Sequence, residues 1–273
     1  MSHPLPDPPG PGASGAGAGD LATLPGDPAV QVRDLGFTVG GAVILADIDL
    51  TIDRGELLAV IGPNGAGKST LVNMISGVGR PTSGEIRLNG TDVTRLSVRY
   101  RARAGMGRTF QTSSLFNGLS TVQNVCFAVQ SATPGSLNPF RRASSRAVVD
   151  AAMELLERVG MAARSSWPTA ALSHGDKRKL ELAVAMARRP TLLLLDEPMA
   201  GVAMEDVPSL VQLIADLNAD GVTICMVEHH MHVVLGLAHR IAVLHHGRLL
   251  AVGTPGEVTA DPAVRRAYLG DSL

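Results

Sequence analysis

The sequence predicts an α/β fold: a mainly parallel sheet flanked by helices, with an antiparallel β part at one end and an inserted helical subdomain. Three observations carry this reading. Leu57–Ile61 and Leu192–Leu195 are short, unbroken apolar runs, as expected of strands buried on both faces. Segments of helical period alternate with such runs, the pattern of strand–helix–strand units. From about residue 112 to 172 the alternation stops and helical patterns recur around a Pro/Gly/Ser-rich loop at 132–145.

In chain order, residues 1–28 are mostly Pro, Gly, Ala and Asp and read as a disordered tail, because they cannot bury enough surface to offset their ordering entropy. The folded domain is expected over 29–273. Val30–Val39 and Ala42–Ile52 read as strands, and Arg54-Gly55 turns the chain into Leu57–Ile61. A glycine-rich loop, a helix over Ser69–Ser76 and a strand over Gly84–Leu88 follow. The helical subdomain contains helices at Thr121–Gln130 and Arg146–Val159. The core resumes with a helix over Lys177–Arg188, a strand over Thr191–Leu195, a helix over Val207–Leu217 and a strand over Val222–Val227. Ile241–Leu244 and Arg248–Val252 form a hairpin around His246-Gly247, and no internal repeat appears.

Composition narrows the class. A chain of 273 residues is ample for one large α/β domain. Acidic and basic residues nearly cancel, 25 against 24, so no global field draws it to nucleic acid or anionic lipid, and no nucleic-acid partner is expected. Cys126 and Cys225 lie in apolar runs without metal-ligand spacing and read as small buried hydrophobes, consistent with the cytosol. Residues 1–28 contain no Lys or Arg and no apolar core, unlike a signal peptide. No stretch reaches roughly 18 uninterrupted apolar residues, so a membrane connection is expected to run through a partner.

The strongest chemical signal is Gly62-Pro63-Asn64-Gly65-Ala66-Gly67-Lys68-Ser69-Thr70, which fits G-x-x-x-x-G-K-[ST] between a buried strand and a helix. Its glycines let backbone N–H groups curl around phosphates, and the helix points its positive end at them. Lys68 then reaches the β- and γ-phosphates of ATP, and Ser69 Oγ suits Mg²⁺. A glycine turn with a surface lysine is the alternative, and the strand–loop–helix context speaks against it. Leu192–Leu195 runs into Asp196 and Glu197, two carboxylates at the C-terminal edge of a buried strand, where open α/β sheets bind ligands. Asp196 suits Mg²⁺; Glu197 suits orienting or deprotonating the attacking water. Without the phosphate loop the pair would read as a solvated strand end. No Cys or carboxylate completes a convincing metal site around His229, His230 and His232, and His245 and His246 read as turn residues.

Leu172-Ser173-His174-Gly175-Asp176 resembles the ABC signature, usually Leu-Ser-Gly-Gly-Gln. With Gln111 in Arg-Thr-Phe-Gln and His229 in Val-Glu-His it completes, in order, the set of an ABC transporter ATPase built on a P-loop NTPase core. The resemblance runs from Val30 to the C-terminus. It implies that Gln111 contacts Mg²⁺ or water and couples to a membrane domain, and that His229 faces the γ-phosphate. It also implies that Ser173 and Gly175 contact the γ-phosphate of ATP held by the opposite subunit, so that two cassettes sandwich two nucleotides. A helix N-terminus with a serine is a good anion site, and Ser173 equally suits an N-cap.

Three positions depart from that family. Its adenine-stacking aromatic falls on Val39 ahead of Gly40-Gly41, with Phe37 two positions off. His174 replaces the second signature glycine, and Ala203 stands where an acid or amide is expected. Slower or asymmetric hydrolysis at one site is the expectation. Finer features resemble the larger ATPase subunit of branched-chain amino acid importers: Gly107–Gln111 followed by Ser114-Leu115-Phe116, the insert Asn138-Pro139-Phe140-Arg141-Arg142, and the ending Ala267-Tyr268-Leu269-Gly270. Leu-Ser-His-Gly is also similar to the urea and amide branch. This resemblance implies a second, non-identical ATPase subunit, two membrane permease subunits and an extracytoplasmic substrate-binding protein, with the chain at the cytoplasmic face of the cell membrane. A urea or amide importer, a regulatory cassette and an exporter ATPase are the alternatives; the Arg-Thr-Phe-Gln segment and the long insert favour transport. Too few residues separate Lys68 from Ser173 for the long coiled coils of chromosome-maintenance ATPases.

Overall fold

The computed structural model describes residues 26–109, 115–132 and 145–269. Its strands form two sheets rather than one. The larger is six-stranded, in the order β10-β9-β3-β8-β7-β6: β3 (Leu57–Ile61), β6 (Met106–Arg108), β7 (Leu192–Asp196), β8 (Thr223–Val227) and β9 (Arg240–His245) run parallel, and β10 (Arg248–Gly253) is antiparallel at one edge. The smaller is antiparallel, in the order β2-β1-β4-β5: β1 (Val30–Val39), β2 (Ala42–Ile52), β4 (Ser83–Leu88) and β5 (Thr91–Asp92). The antiparallel part expected at one end of the sheet is thus mostly a layer of its own, with only β10 on the edge.

Side chains of the parallel strands explain why these runs show no polar alternation. Leu57, Ala59 and Ile61 enter one apolar cluster with Leu193, Leu195, Ile224 and Met226. Their alternates Leu58 and Val60 enter a second cluster with Leu192, Leu194, Cys225 and Val227. The first cluster is shared with the helices α3 (Thr121–Ala132), α4 (Arg146–Arg158), α5 (His174–Met186), α6 (Val207–Ala219) and α7 (Met231–Leu237). The second is closed by α1 (Lys68–Ser76) and the antiparallel sheet, through Leu45, Ile48, Leu50, Leu71 and Ile75. Every residue of β3, β7 and β8 is therefore buried. Short helices α8 (Pro255–Ala260) and α9 (Pro262–Leu269) follow β10, the first opened by a capping box between Thr254 and Glu257.

Between β6 and β7 the described residues leave the sheet for α3, α4, two single 3₁₀ turns and then α5. Buried Asn124 holds the start of this excursion: its amide carbonyl accepts from Phe116 N–H at 2.8 Å, and its amide nitrogen donates to Thr169 Oγ1 at 2.9 Å. Sequence period located α3 and α4 to within two residues at each end but gave no sign of α2 (Val98–Arg103), β5 or β6. These are too short for a period to register. Yet α2 supplies Arg101, a fully buried guanidinium that donates to the carbonyls of Met74 (2.6 Å), Ile75 (2.7 Å), Thr94 (3.1 Å) and Leu96 (3.2 Å). Burial pushes its pKa down to about 10, against the pull of Asp92, so it stays a cation at neutral pH and caps the negative end of α1.

Both cysteines are buried, Cys126 on α3 and Cys225 on β8. Burial raises both thiols, and that of Cys225 is pushed up to about 12, with Glu56 and Asp196 adding to the effect. The native chain is accordingly expected to resist a thiol-exchange reagent at pH 8 and to yield both thiols only after denaturation. Rapid native labelling would contradict the packing.

Candidate functional site

The phosphate-binding loop leaves β3 at the centre of the larger sheet and enters α1 through Gly67, whose φ of 104° sets the N-terminus of the helix. Pro63, Ser69 and Thr70 are partly exposed and Asn64 and Gly65 are open to solvent, whereas Ala66, Gly67 and Lys68 are buried. Gly62 is obligatory on two counts: its φ is 152°, and a Cβ there would lie 2.1 Å from the Leu244 carbonyl oxygen. Lys68 Nζ donates across the loop to the carbonyls of Gly62 (2.7 Å) and Pro63 (3.0 Å). Burial lowers the ammonium's pKa, while Glu197 and Asp196 oppose the shift. Lys68 thus lies within electrostatic reach of both carboxylates.

The β9–β10 turn does more than reverse the chain. Gly247 N–H donates to the Ala66 carbonyl at 3.0 Å, and the Gly247 carbonyl accepts from Ala46 N–H at 2.9 Å. One residue thus ties the phosphate loop to β2 of the other sheet. A Cβ on Gly247 would stand 2.3 Å from the Ile44 carbonyl oxygen, at a φ of 75°. His245 ends β9 and His246 lies in the turn with a φ of 48°.

The carboxylates occupy the C-terminal ends of β7 and β8. Asp196 is 3% exposed. Its Oδ2 pairs with Arg108 Nη2 at 3.3 Å, and its Oδ1 is buried without a hydrogen-bond partner. Burial raises its pKa, Arg108 works against the rise and Glu197 adds to it. Arg108, whose side chain is 8% exposed, also donates to Ser76 Oγ at the far end of α1. Glu197 adopts a φ of 50°, strained for a residue with a Cβ, and its N–H is held by the Val227 carbonyl at 2.9 Å. Its Oε1 lies 2.9 Å from His229 Nε2. Glu228, 1% exposed, accepts from the N–H groups of Met199, His229 and His230 and from His230 Nδ1. Burial alone would raise its pKa; these four donors outweigh that and leave the carboxyl below its ordinary value.

Ser173 is the N-cap of α5, its Oγ accepting from Asp176 N–H at 3.1 Å, so the capping role read from the sequence is present. Gly175 is buried against Asp206, whose Oδ2 would lie 2.6 Å from an added Cβ. His174 lies beside Gly201, and Asp176 pairs with Arg164. Among the described residues, no hydrogen bond or ion pair joins Ser173 or Gly175 to Lys68, Asp196, Glu197 or His229. The site gathers its loop, strand-end acids and histidine, and leaves the signature apart. Gln111 lies outside the described residues. Val39 is 56% exposed at the β1–β2 turn, whereas Phe37 packs into the core below it, so Phe37 does not take the place of an aromatic at position 39. Ala203 is exposed.

Arg108, Glu228 and Gly247 are site residues that sequence reasoning passed over. Arg108 and Glu228 directly adjoin recognised segments, but burial, the property that gives them their role, leaves no mark in the pattern. Replacing Gly247 with Val should displace Ala66 and weaken ATP binding by roughly tenfold, the loss of about one charge-assisted contact. Titration with a fluorescent nucleotide measures this; unchanged affinity in a folded variant would remove Gly247 from the support of the loop.

The ABC transporter family pattern matches residues 45–200, and that of the branched-chain amino acid ATP-binding cassette transporter matches residues 248–272. LivG, the high-affinity branched-chain amino acid transport ATP-binding protein of Salmonella typhimurium, is 37% identical over 253 residues, covering 90% of this chain and 99% of LivG. LptB, the lipopolysaccharide export system ATP-binding protein of Acidithiobacillus ferridurans, is 37% identical over 244 residues, covering 89% of this chain and 98% of LptB. The solved ADP conformation of an ATP-binding cassette of an ABC transporter aligns with a TM-score of 0.80 at 25% identity, covering 89% of this chain and 99% of that one. Similarity of this extent, over the same residues that build the loop and the strand-end acids, makes the chain a member of the ABC transporter ATP-binding family, a nucleotide-binding subunit that hydrolyses ATP.

Proposed function

We propose that this chain powers an importer of branched-chain amino acids or related small polar solutes. LptB shows that the cassette core alone does not separate import from export, since it is as similar here as LivG. The C-terminal match over residues 248–272 favours the amino acid branch. Two permease subunits, a second and non-identical cassette, and an extracytoplasmic binding protein complete the assembly. Among the described residues no helix is long and apolar enough to cross a membrane, so attachment to the cytoplasmic face runs through the permeases.

The single observation that carries the hydrolytic assignment is the 2.9 Å contact between Glu197 Oε1 and His229 Nε2 beside Lys68 and Asp196. Backbone N–H groups of the loop from Asn64 to Thr70 and the Lys68 ammonium hold the triphosphate. Glu197 orients a water and takes its proton as the oxygen attacks the γ-phosphorus; ADP leaves with the former bridging oxygen. His229 holds the Glu197 carboxylate and faces the γ-phosphate. The unpartnered Oδ1 of buried Asp196 fits Mg²⁺, with Ser69 Oγ and Gln111 as the other protein oxygens. Such an ion, held by these protein oxygens, would neutralise charge developing on the phosphoryl oxygens. Ser173 and Gly175 serve the nucleotide of the opposite cassette, in keeping with their separation from this cluster. Val39, His174 and Ala203 make one of the two composite sites the slower; equal single-turnover rates at both would contradict that.

Glu197→Gln should lower turnover by at least about 100-fold, to a measurable remainder, and trap an ATP-bound cassette dimer. Unchanged turnover would remove Glu197 from the role. ATPase activity of the complex should rise with binding protein plus a branched-chain amino acid. Stimulation by urea or short amides alone would reassign the solute, and stimulation without any binding protein would favour an exporter.

A further inference from the structure

We infer that Glu228 is a positioning residue for hydrolysis, its buried carboxylate locking the loop after Glu197 and the loop carrying His229 into one unit. The two loops leave neighbouring parallel strands, β7 and β8, and their side chains must meet within hydrogen-bond distance to act on one water. Glu228 is the first residue beyond β8 and is almost fully buried. One oxygen, Oε1, accepts from Met199 N–H at 2.9 Å, two residues past Glu197. The other, Oε2, accepts from His229 N–H at 2.8 Å, from His230 N–H at 3.0 Å, and lies 2.8 Å from His230 Nδ1. A single carboxylate therefore fixes the peptides on both sides of the Glu197–His229 contact.

Two physical features make a carboxylate necessary there. Glu197 sits at a positive φ, a conformation that persists only where the surroundings over-determine it. Bonds from Met199 N–H to Glu228 and from Glu197 N–H to the Val227 carbonyl bracket that residue. Four donors also converge on Glu228, which a neutral amide, with one acceptor oxygen and two N–H groups, cannot satisfy. An aspartate keeps the charge but is one methylene too short to span both loops.

The inference rests on the reading that Glu197 and His229 act on the attacking water. It is tested in the assembled transporter complex by kcat and KM for ATP, alongside nucleotide affinity and thermal unfolding of the purified chain. Glu228→Gln and Glu228→Asp are each expected to lower kcat by roughly 10- to 100-fold while KM and nucleotide affinity change less than about threefold, because the phosphate loop is untouched. In the Glu197→Gln background, Glu228→Gln should lower turnover little further, since it acts through Glu197. Wild-type kcat in Glu228→Gln beside a strongly impaired Glu197→Gln would overturn the inference alone. So would losses of kcat and nucleotide affinity in equal proportion, or full additivity in the double variant, which mark a general packing role. Full turnover in Glu197→Gln would overturn the reading of Glu197 and the inference with it.

Discussion

Three carboxylates stand at the C-terminal ends of two neighbouring parallel strands, where charge taken out of water has to be offset by partners. Asp196, Glu197 and Glu228 each meet this differently. Arg108 stands against Asp196, His229 against Glu197, and a ring of backbone N–H groups with the His230 imidazole against Glu228. At Asp196 burial prevails over Arg108, and one oxygen lacks a partner. A site left with unspent negative charge beside a lysine and a helix N-terminus is suited to a metal-bound polyphosphate.

Keeping that arrangement fixed requires α1 to be held at both ends. At its start, Gly247 braces Ala66 against β2. At its finish, Arg101 caps the carbonyls of Met74 and Ile75, and Arg108 reaches Ser76 from the strand that leads toward Gln111. The antiparallel sheet is thus more than a cover for one face, because its residues close the mould in which the phosphate loop is set. Arg108 belongs at once to the acid cluster and to the end of the phosphate-loop helix, so movement of β6 would be felt at both.

Fold class and most elements were legible because burial on both faces of β3, β7 and β8 leaves an uninterrupted apolar run, and amphipathic α3 and α4 leave a period. The phosphate loop and strand-end acids were legible because their chemistry demands fixed residue types at short spacing. What escaped was set by tertiary contact. Arg101 and Arg108 look like surface arginines until carbonyls from α1 and the carboxylate of β7 close around them. Gly247 looks like an ordinary hairpin glycine, since its partners Ala46 and Ala66 lie far off in sequence. The separate antiparallel layer was invisible for a similar reason: strands β1, β2 and β4 do not record which sheet they join.

Thermal unfolding with ATP in the presence and absence of Mg²⁺ tests the central claim most directly, because a ligand raises stability in proportion to its affinity for the folded state. If the unpartnered oxygen of Asp196 belongs to the metal–nucleotide site, Mg²⁺ should add several degrees to the effect of ATP in the native chain and little in Asp196→Asn. An equal Mg²⁺ increment in both proteins would contradict the account.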